Sequence, residues 1–311
     1  MLAALAGSAA AADYPLKPLR MIITYPPGGN TDAVGRPVAA RLSEVLGQQV
    51  LIDNRGGAGG TLGTHVAAQA TPDGYTMLMG TSASMSINPA LQPKLPYDPN
   101  RDFAPVTMLV INPQVLVVHP SSPFRSVKEL IAHAKSNPGK LNYASPGIGS
   151  PNHLGTELFQ SMANIEMVHV AYRGGGPASA DLIAGQVQLM FSSMPAMMAH
   201  ARAGRLRALA VGSGTRSPAA PELPTVAEAG VPGFEYLTWY GIFLPAKSPV
   251  RTITILNRSF GTVLADPEVS KMLSRAGSEP LHSTPAELAR FMKAEGDRWT
   301  AIAKRLQLKV D

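Results

Sequence analysis

Four short stretches of the chain carry residue types that can hold a small anion through the main chain. They are Tyr25-Pro-Pro-Gly-Gly-Asn-Thr-Asp32, Gly80-Thr-Ser-Ala-Ser84, Ser145-Pro-Gly-Ile-Gly-Ser-Pro-Asn-His153 and Tyr172-Arg-Gly-Gly-Gly-Pro-Ala178. Each follows a strand-like run, the place where open parallel sheets bind ligands. Glycine lets the backbone approach a guest closely. The first N–H groups of a helix have no internal partner, so an anion satisfies them and meets the positive end of the dipole. One such contact contributes about 0.3–1 kcal/mol when exposed and about 2 kcal/mol when desolvated. The first and fourth stretches share a pattern: strand, Tyr, a Gly pair, helix. A single loop of this kind is better read as a tight turn, but four together favour binding. A fifth glycine run, Arg55-Gly-Gly-Ala-Gly-Gly60, suits a turn and a binding loop equally.

The signatures of catalysis are mostly missing. Gly80-Thr-Ser-Ala-Ser84 lacks the last glycine of a nucleophile elbow. Gly147-Ile-Gly149 has Asn152 where a dinucleotide fingerprint needs its third glycine, and Gly139-Lys140 runs into Leu141, so no P-loop exists. The seven histidines form no H-x-H or H-x-x-x-H pair, and there is no cysteine for a disulfide, a thiolate site or a nucleophile. A hydrolase built on Ser82 or Ser150 would need a base and an oxyanion constellation that neither serine has beside it. His153 lies inside a loop and can donate to a carboxylate, but it lacks a partner as a general base. Asp32 is the sole acidic residue in the four loops, which suits an anionic guest and ill equips the site for acid–base chemistry. The expectation is a binding protein with no metal, no cofactor and no enzymatic activity.

These loops need strands and helices to position them. Short apolar runs at Arg20–Thr24, Gln49–Ile52 and Tyr75–Met79 read as strands, with helical spacing at Val38–Leu46 and Gly63–Ala70 between them. A second series places strands at Val115–Val118, Leu141–Tyr143, Val168–Ala171, Leu189–Phe191 and Leu206–Val211. Helices at Val127–Lys135, Leu154–Met162, Ser179–Ala184 and Met197–Ala203 lie between them. The alternation predicts an α/β fold with mainly parallel sheets flanked by helices. Pro37 implies a helix start at Arg36 or a kink, and the proline-rich Ile87–Asp102 reads as an irregular loop. Tyr236–Leu244 reads as the longest strand. Ile253–Leu264, Pro267–Arg275 and Pro285–Leu306 read as helices without a sheet of their own. The simplest solution is a chain that crosses to a second domain near 105–115 and returns near 235–245. That gives domain 1 at 13–110 and 240–311 and domain 2 at 111–239, with two crossovers that make a hinge.

The remaining signals are blander. Tyr236, Trp239 and Tyr240 could wall a pocket, but a core or hinge role is the better reading. Met194, Met197 and Met198 read as packing, and Arg202, Arg205 and Arg207 as a solvated face. Length and composition agree with two domains: 311 residues, 45% hydrophobic, at roughly 100–200 residues per domain. The net charge of +6 favours anionic partners. No basic–aromatic interleaving points to nucleic acid. Met1–Ala12 (MLAALAGSAAAA) reads as the remnant of a secretory signal with an Ala10-Ala11-Ala12 cleavage site, implying export. No other run is long and apolar enough for a membrane span.

The blocks YPPGGNTD (25–32), DNRGGAGGTLG (53–63), ATPDGYTMLMG (70–80), LNYASPGIGSPNHLG (141–155) and VHVAYRGGGPASADLIAGQVQLMF (168–191) resemble the Bug family, as do ELPTVAEAGVPGFE (222–235) and the C-terminal helices. These are the extracytoplasmic solute receptors of tripartite tricarboxylate transporters. The resemblance covers nearly the whole chain after the leader. It implies a periplasmic, monomeric Venus flytrap of two α/β domains that binds a small carboxylate and passes it to membrane permease subunits. A ligand sensor of the same fold is the alternative, and sequence does not separate the two. Carried over by motif, the first wall of the cleft comprises Pro27, Gly28, Gly29, Asn30 and Thr31, with Thr81 and Ser82 beside it. The facing domain would supply Ser145, Gly147, Ser150, His153, Tyr172, Gly174 and Gly175. Ser192 stands where many members carry Asp, which disfavours a ligand bearing an ammonium group, and Asn30 where Ser is frequent.

Overall fold

The computed structural model describes residues 14–92 and 94–306; the Met1–Ala12 leader expectation lies outside them. Strand β1 (Leu19–Ile23) is buried along nearly its whole length, as a parallel strand covered on both faces must be. It pairs in parallel with β2 (Val50–Asn54) and β3 (Thr76–Thr81). Between β1 and β2 runs helix α1 (Asn30–Leu46), which buries Val34, Val38 and Leu42 on one face and stops at Gly47 in the left-handed conformation. The helix neither starts at Arg36 nor ends at Pro37, which lies inside it. Pro37 removes only the donor to the carbonyl of Ala33, and Ala33 is exposed, so water can take that donor's place. Helix α2 (Thr61–Ala68) joins β2 to β3.

The proline-rich stretch after β3 is not wholly irregular. A π-turn at Ala83–Ile87 continues into α3 (Asn88–Leu91), with Pro89 in the first turn, where its missing N–H costs nothing. Then comes β4 (Phe103–Val118), the longest strand, of 16 residues. Sequence reading placed a strand only at its end because Pro105 and Pro113 interrupt the run. Pro105 adjoins a register shift, where the ladder forgoes a donor anyway. After α4 (Val127–Ser136) the alternation resumes: β5 (Asn142–Ser145), α5 (Pro151–Ala163), β6 (Val168–Ala171), α6 (Gly175–Ile183), β7 (Leu189–Ser193), α7 (Met194–Arg202) and β8 (Arg207–Val211). The chain returns along β9 (Leu237–Pro245) and ends with α8 (Val250–Ala265), α9 (Pro267–Arg275), the two-residue β10 (Glu279–Pro280) and α10 (Pro285–Leu306).

The strands form a ten-stranded sheet in the order β2-β1-β3-β9-β4-β7-β5-β6, with β8 and β10 also on β4. Both outer flanks are parallel and the centre is antiparallel, so the fold is α/β. Strand β4 is shared: Phe103–Pro113 pairs with β9, and Gln114–Val118 pairs with β7 and β8. Its partner changes between Pro113 and Gln114. Helices cover both faces of each half, and the buried residues fall into four clusters. Around β1–β3 they are Val34–Phe260–Leu273 on one side and Met85–Phe243–Leu288 on the other. Around β5–β7 they are Phe159–Phe191–Phe234 and Leu182–Met190–Met197. Helix α10 belongs to both halves. Leu288 and Met292 pack beside β3 and β9, while Trp299 and Ile302 join the cluster of Phe159.

Candidate functional site

A cleft of about 740 Å³ opens at the carboxyl ends of β1, β3, β5 and β7. One wall consists of Tyr25–Thr31, between β1 and α1, with Thr81, Ser82 and Ala83 at the end of β3. The opposite wall consists of Pro146, Pro151, Asn152, Gly175, Gly176, Ser192 and Ser193, and the floor of Gln114, Thr238 and Tyr240. No Asp, Glu, Lys, Arg or His is among these residues.

The first wall is built to leave amides free. Helix α1 is capped by Gly29, whose missing side chain accepts nothing from the first turn, so the N–H groups of Asn30 and Thr31 have no partner within the helix. Asp32 ties the loop down from behind. Its carboxylate accepts from Gly28 N (3.0 Å), Arg36 Nε (2.6 Å) and Asn54 Nδ2 (3.1 Å). Burial opposes ionisation of Asp32, but the hydrogen bonds from Arg36, Gly28 and Asn54 outweigh it and hold its pKa below the usual carboxylate range. The loop's one acidic group therefore belongs to its scaffold. Asn30 Nδ2 donates to the Tyr240 hydroxyl at 3.2 Å, and burial pushes that phenol's pKa up, keeping it neutral.

On the facing wall, α6 begins after Gly174, a residue at φ 116° that no side chain favours, again without a side-chain cap. Gly174 N donates to Pro146 O at 3.0 Å, and Tyr172 N to Ser145 O at 3.0 Å, which binds this loop to the β5–α5 loop. Asn152 Nδ2 donates to Phe191 O at 2.7 Å.

The structure thus gathers Pro27, Gly28, Gly29, Asn30, Thr31, Thr81, Ser82, Gly175 and Ser192 around one cleft. Ser145, Gly147, Ser150, His153, Tyr172 and Gly174 are not among its lining residues, although Gly147 and Gly174 adjoin Pro146 and Gly175, which are. Ser150 caps α5, accepting from His153 N at 3.3 Å. Ser145 Oγ is hydrogen-bonded to His169 Nε2 at 2.6 Å and to Gly147. The Tyr172 hydroxyl donates to Asp181 at 2.8 Å, with its pKa pushed up to about 12 by burial and then by Asp181. Ser145, Ser150 and Tyr172 thus spend their hydroxyls on the loops themselves. Of the three aromatic residues that could wall a pocket, Tyr240 lines the cleft and Tyr236 and Trp239 do not; Gln114 and Thr238 line it without having been among the expected site residues. The signal for Gln114 and Thr238 is a polar residue within an otherwise apolar strand.

Behind the β5–α5 loop, His153, His169 and Tyr143 form a stack, with ring centres 4.1 Å apart between the histidines and 4.9 Å between His169 and Tyr143. His153 Nδ1 accepts from Gly149 N at 3.2 Å, which requires that nitrogen to be unprotonated. The Tyr143 hydroxyl donates to Glu157, whose carboxylate also lies 3.9 Å from His153 Nε2. Burial lowers the pKa of His153; burial and then the charge of His153 lower that of His169 to about 4, against a smaller opposing effect of Glu157. The unfolded chain, with histidines near 6.5, binds more protons than the native state as pH falls from about 6.5 to 4. This contribution to stability is complete above about pH 6.5 and declines towards pH 4. The urea midpoint is expected to fall over that window, and His169→Asn to flatten the fall. Parallel pH profiles for both proteins would refute the assignment.

A family model described as tripartite tricarboxylate transporter family receptor matches residues 34–308. The chain is 37% identical over 309 residues to Protein BugT of Bordetella pertussis, covering 99% of this chain and 95% of that one. It superposes on Rpa4515 of Rhodopseudomonas palustris, solved with adipate, at TM-score 0.85 and 36% identity, covering 96% of this chain and 99% of the other. MatC from the same organism, with bound malate, gives TM-score 0.80 at 31% identity, covering 93% and 99%. Among the described residues no helix is long and apolar enough to cross a membrane.

Proposed function

The chain belongs to the tripartite tricarboxylate transporter receptor family, and from that premise we propose that it is a periplasmic receptor for a small carboxylate. The ligand would be held between two lobes and delivered to the permease subunits of such a transporter. The observation that carries the reading is the pairing of uncapped helix ends, α1 and α6, on opposite walls of a cleft without a charged side chain. An anion placed there meets orphan amides from both sides and no competing carboxylate. The ligands of Rpa4515 and MatC, adipate and malate, support the same chemistry. The binding residues would be Pro27–Thr31, Thr81, Ser82, Gly175 and Ser192, joined by Asn152 and Gly176. The lobes would be 13–110 with 240–311, and 111–239, closing about the change of partner in β4.

Thermal denaturation in the presence of mono-, di- and tricarboxylates tests this. A ligand present at a hundred times its dissociation constant adds about 2.7 kcal/mol to stability, so one subset of acids should raise the melting temperature clearly. A response only to nucleotides or cations would overturn the proposal.

A further inference from the structure

Gln114 occupies the point on the cleft floor where β4 changes partners. Its side chain is held in one orientation. Nε2 lies 3.1 Å from the main-chain oxygen of Asn112, which can only accept, and 3.3 Å from Thr238 Oγ1. The amide nitrogen must therefore face these two groups, and both its N–H bonds are used. Oε1 points the other way. It accepts from nothing among the described residues, although Gln114 is only 3% exposed. It is not fully sealed from solvent, and Gln114 lines the cleft, the side from which a ligand would reach it. Thr238, beside it, uses its oxygen to accept from Gln114 and keeps its own hydroxyl hydrogen to donate. The floor presents one fixed acceptor next to one free donor.

We infer that this pair selects carboxylates that also bear a hydroxyl group, which donates to Gln114 Oε1 and accepts from Thr238. The inference rests on the carboxylate reading above and narrows it. A hydroxyl is both donor and acceptor at one atom, and so matches both floor groups. An ammonium group would satisfy Gln114 but would find no anion among the lining residues, Ser192 and Ser193 included, to offset its desolvation. A plain methylene would close the lobes over an unpaired acceptor, which weakens binding about ten- to a hundredfold.

Calorimetric titration of the full chain with matched pairs tests this: succinate against malate, tricarballylate against citrate, and aspartate as the ammonium analogue. In whichever pair binds, the hydroxylated member should bind at least about tenfold more tightly. Gln114→Met should reduce that preference to about threefold or less, by weakening the hydroxy acid and sparing its plain counterpart. Thr238→Val should do the same and serves if the first variant fails to fold. Equal affinities within the pairs, a preference unchanged in both variants, or tighter binding of aspartate than malate would overturn the inference and leave the carboxylate reading standing. Failure of every carboxylate to bind would remove that reading and this inference together.

Discussion

Gly176→Asp is expected to weaken carboxylate binding about a hundredfold while leaving the ligand-free protein as stable as before, or slightly more so. Gly176 lies in the first turn of α6 on the cleft wall, with open space where a Cβ would go and no left-handed backbone to strain. A carboxylate added there joins the positive end of the helix, which stabilises the fold by about 0.3–1 kcal/mol. The same charge occupies the amides that a ligand would use and repels it. At about 6 Å and an effective dielectric of about 20, the repulsion is about 2.8 kcal/mol, close to a hundredfold in affinity. Gly176→Asn, of nearly equal volume and no charge, should lose far less. Calorimetry of both variants, with urea unfolding of the free proteins, separates the effects. Equal losses for Asp and Asn would make the glycine a matter of space alone, and unchanged binding in both would remove α6 from the site.

A large loss of stability is expected at Gly155→Ala. Gly155 faces the ring of Tyr236, and an added Cβ would lie 2.4–2.6 Å from three of its carbons. The ring cannot retreat easily. Tyr236 is fully buried, packs edge-on against Phe191 at 5.7 Å, and is pinned through its main-chain N–H to Gly212 at 2.7 Å. Overpacking of this kind costs about 3 kcal/mol, more than the roughly 1 kcal/mol of helix propensity that alanine gains over glycine. Gly296→Ala, within α10 and with nothing near its would-be Cβ, should show the propensity gain alone. Urea unfolding of the two variants should therefore move in opposite directions; a Gly155→Ala protein as stable as the parent would show that the ring has room to shift.

The alternation of β and α elements was legible because their periods differ and turn residues separate them. Every helix expected from 127 onward has its counterpart, α9 and α10 over the same residues. The misplaced elements share a cause: proline inside a run, as opposed to at a helix start, reads as a breaker. Pro37, Pro89 and Pro105 are each placed where the missing N–H is not needed, by solvent, helix start and register shift respectively, and only three-dimensional surroundings reveal that. The Gly-rich walls of the cleft were legible for the same reason that their helices were. Its floor was not. Gln114 and Thr238 look like ordinary polar positions in strands, and only the exchange of partners along β4 turns them towards the cleft. Nor does sequence say which hydroxyl of a loop faces a guest. Ser150 is claimed by the start of α5, Ser145 by His169, and Tyr172 by Asp181, three competitions decided by a main-chain N–H three residues away and by side chains 24 and nine residues away.

Helix α10 has a consequence for how the molecule comes apart. The polypeptide passes between the two halves along β4 and β9, and its last long helix then lies across both, seating Leu288 in one core and Trp299 in the other. The cluster that takes in Trp299 holds Ile87 and Leu91 from one half as well as Phe159 and Phe234 from the other, so the two halves share part of their cores. Shortening α10 at its end should therefore loosen the cluster of Phe159, a core built mainly from residues more than a hundred positions earlier in the chain.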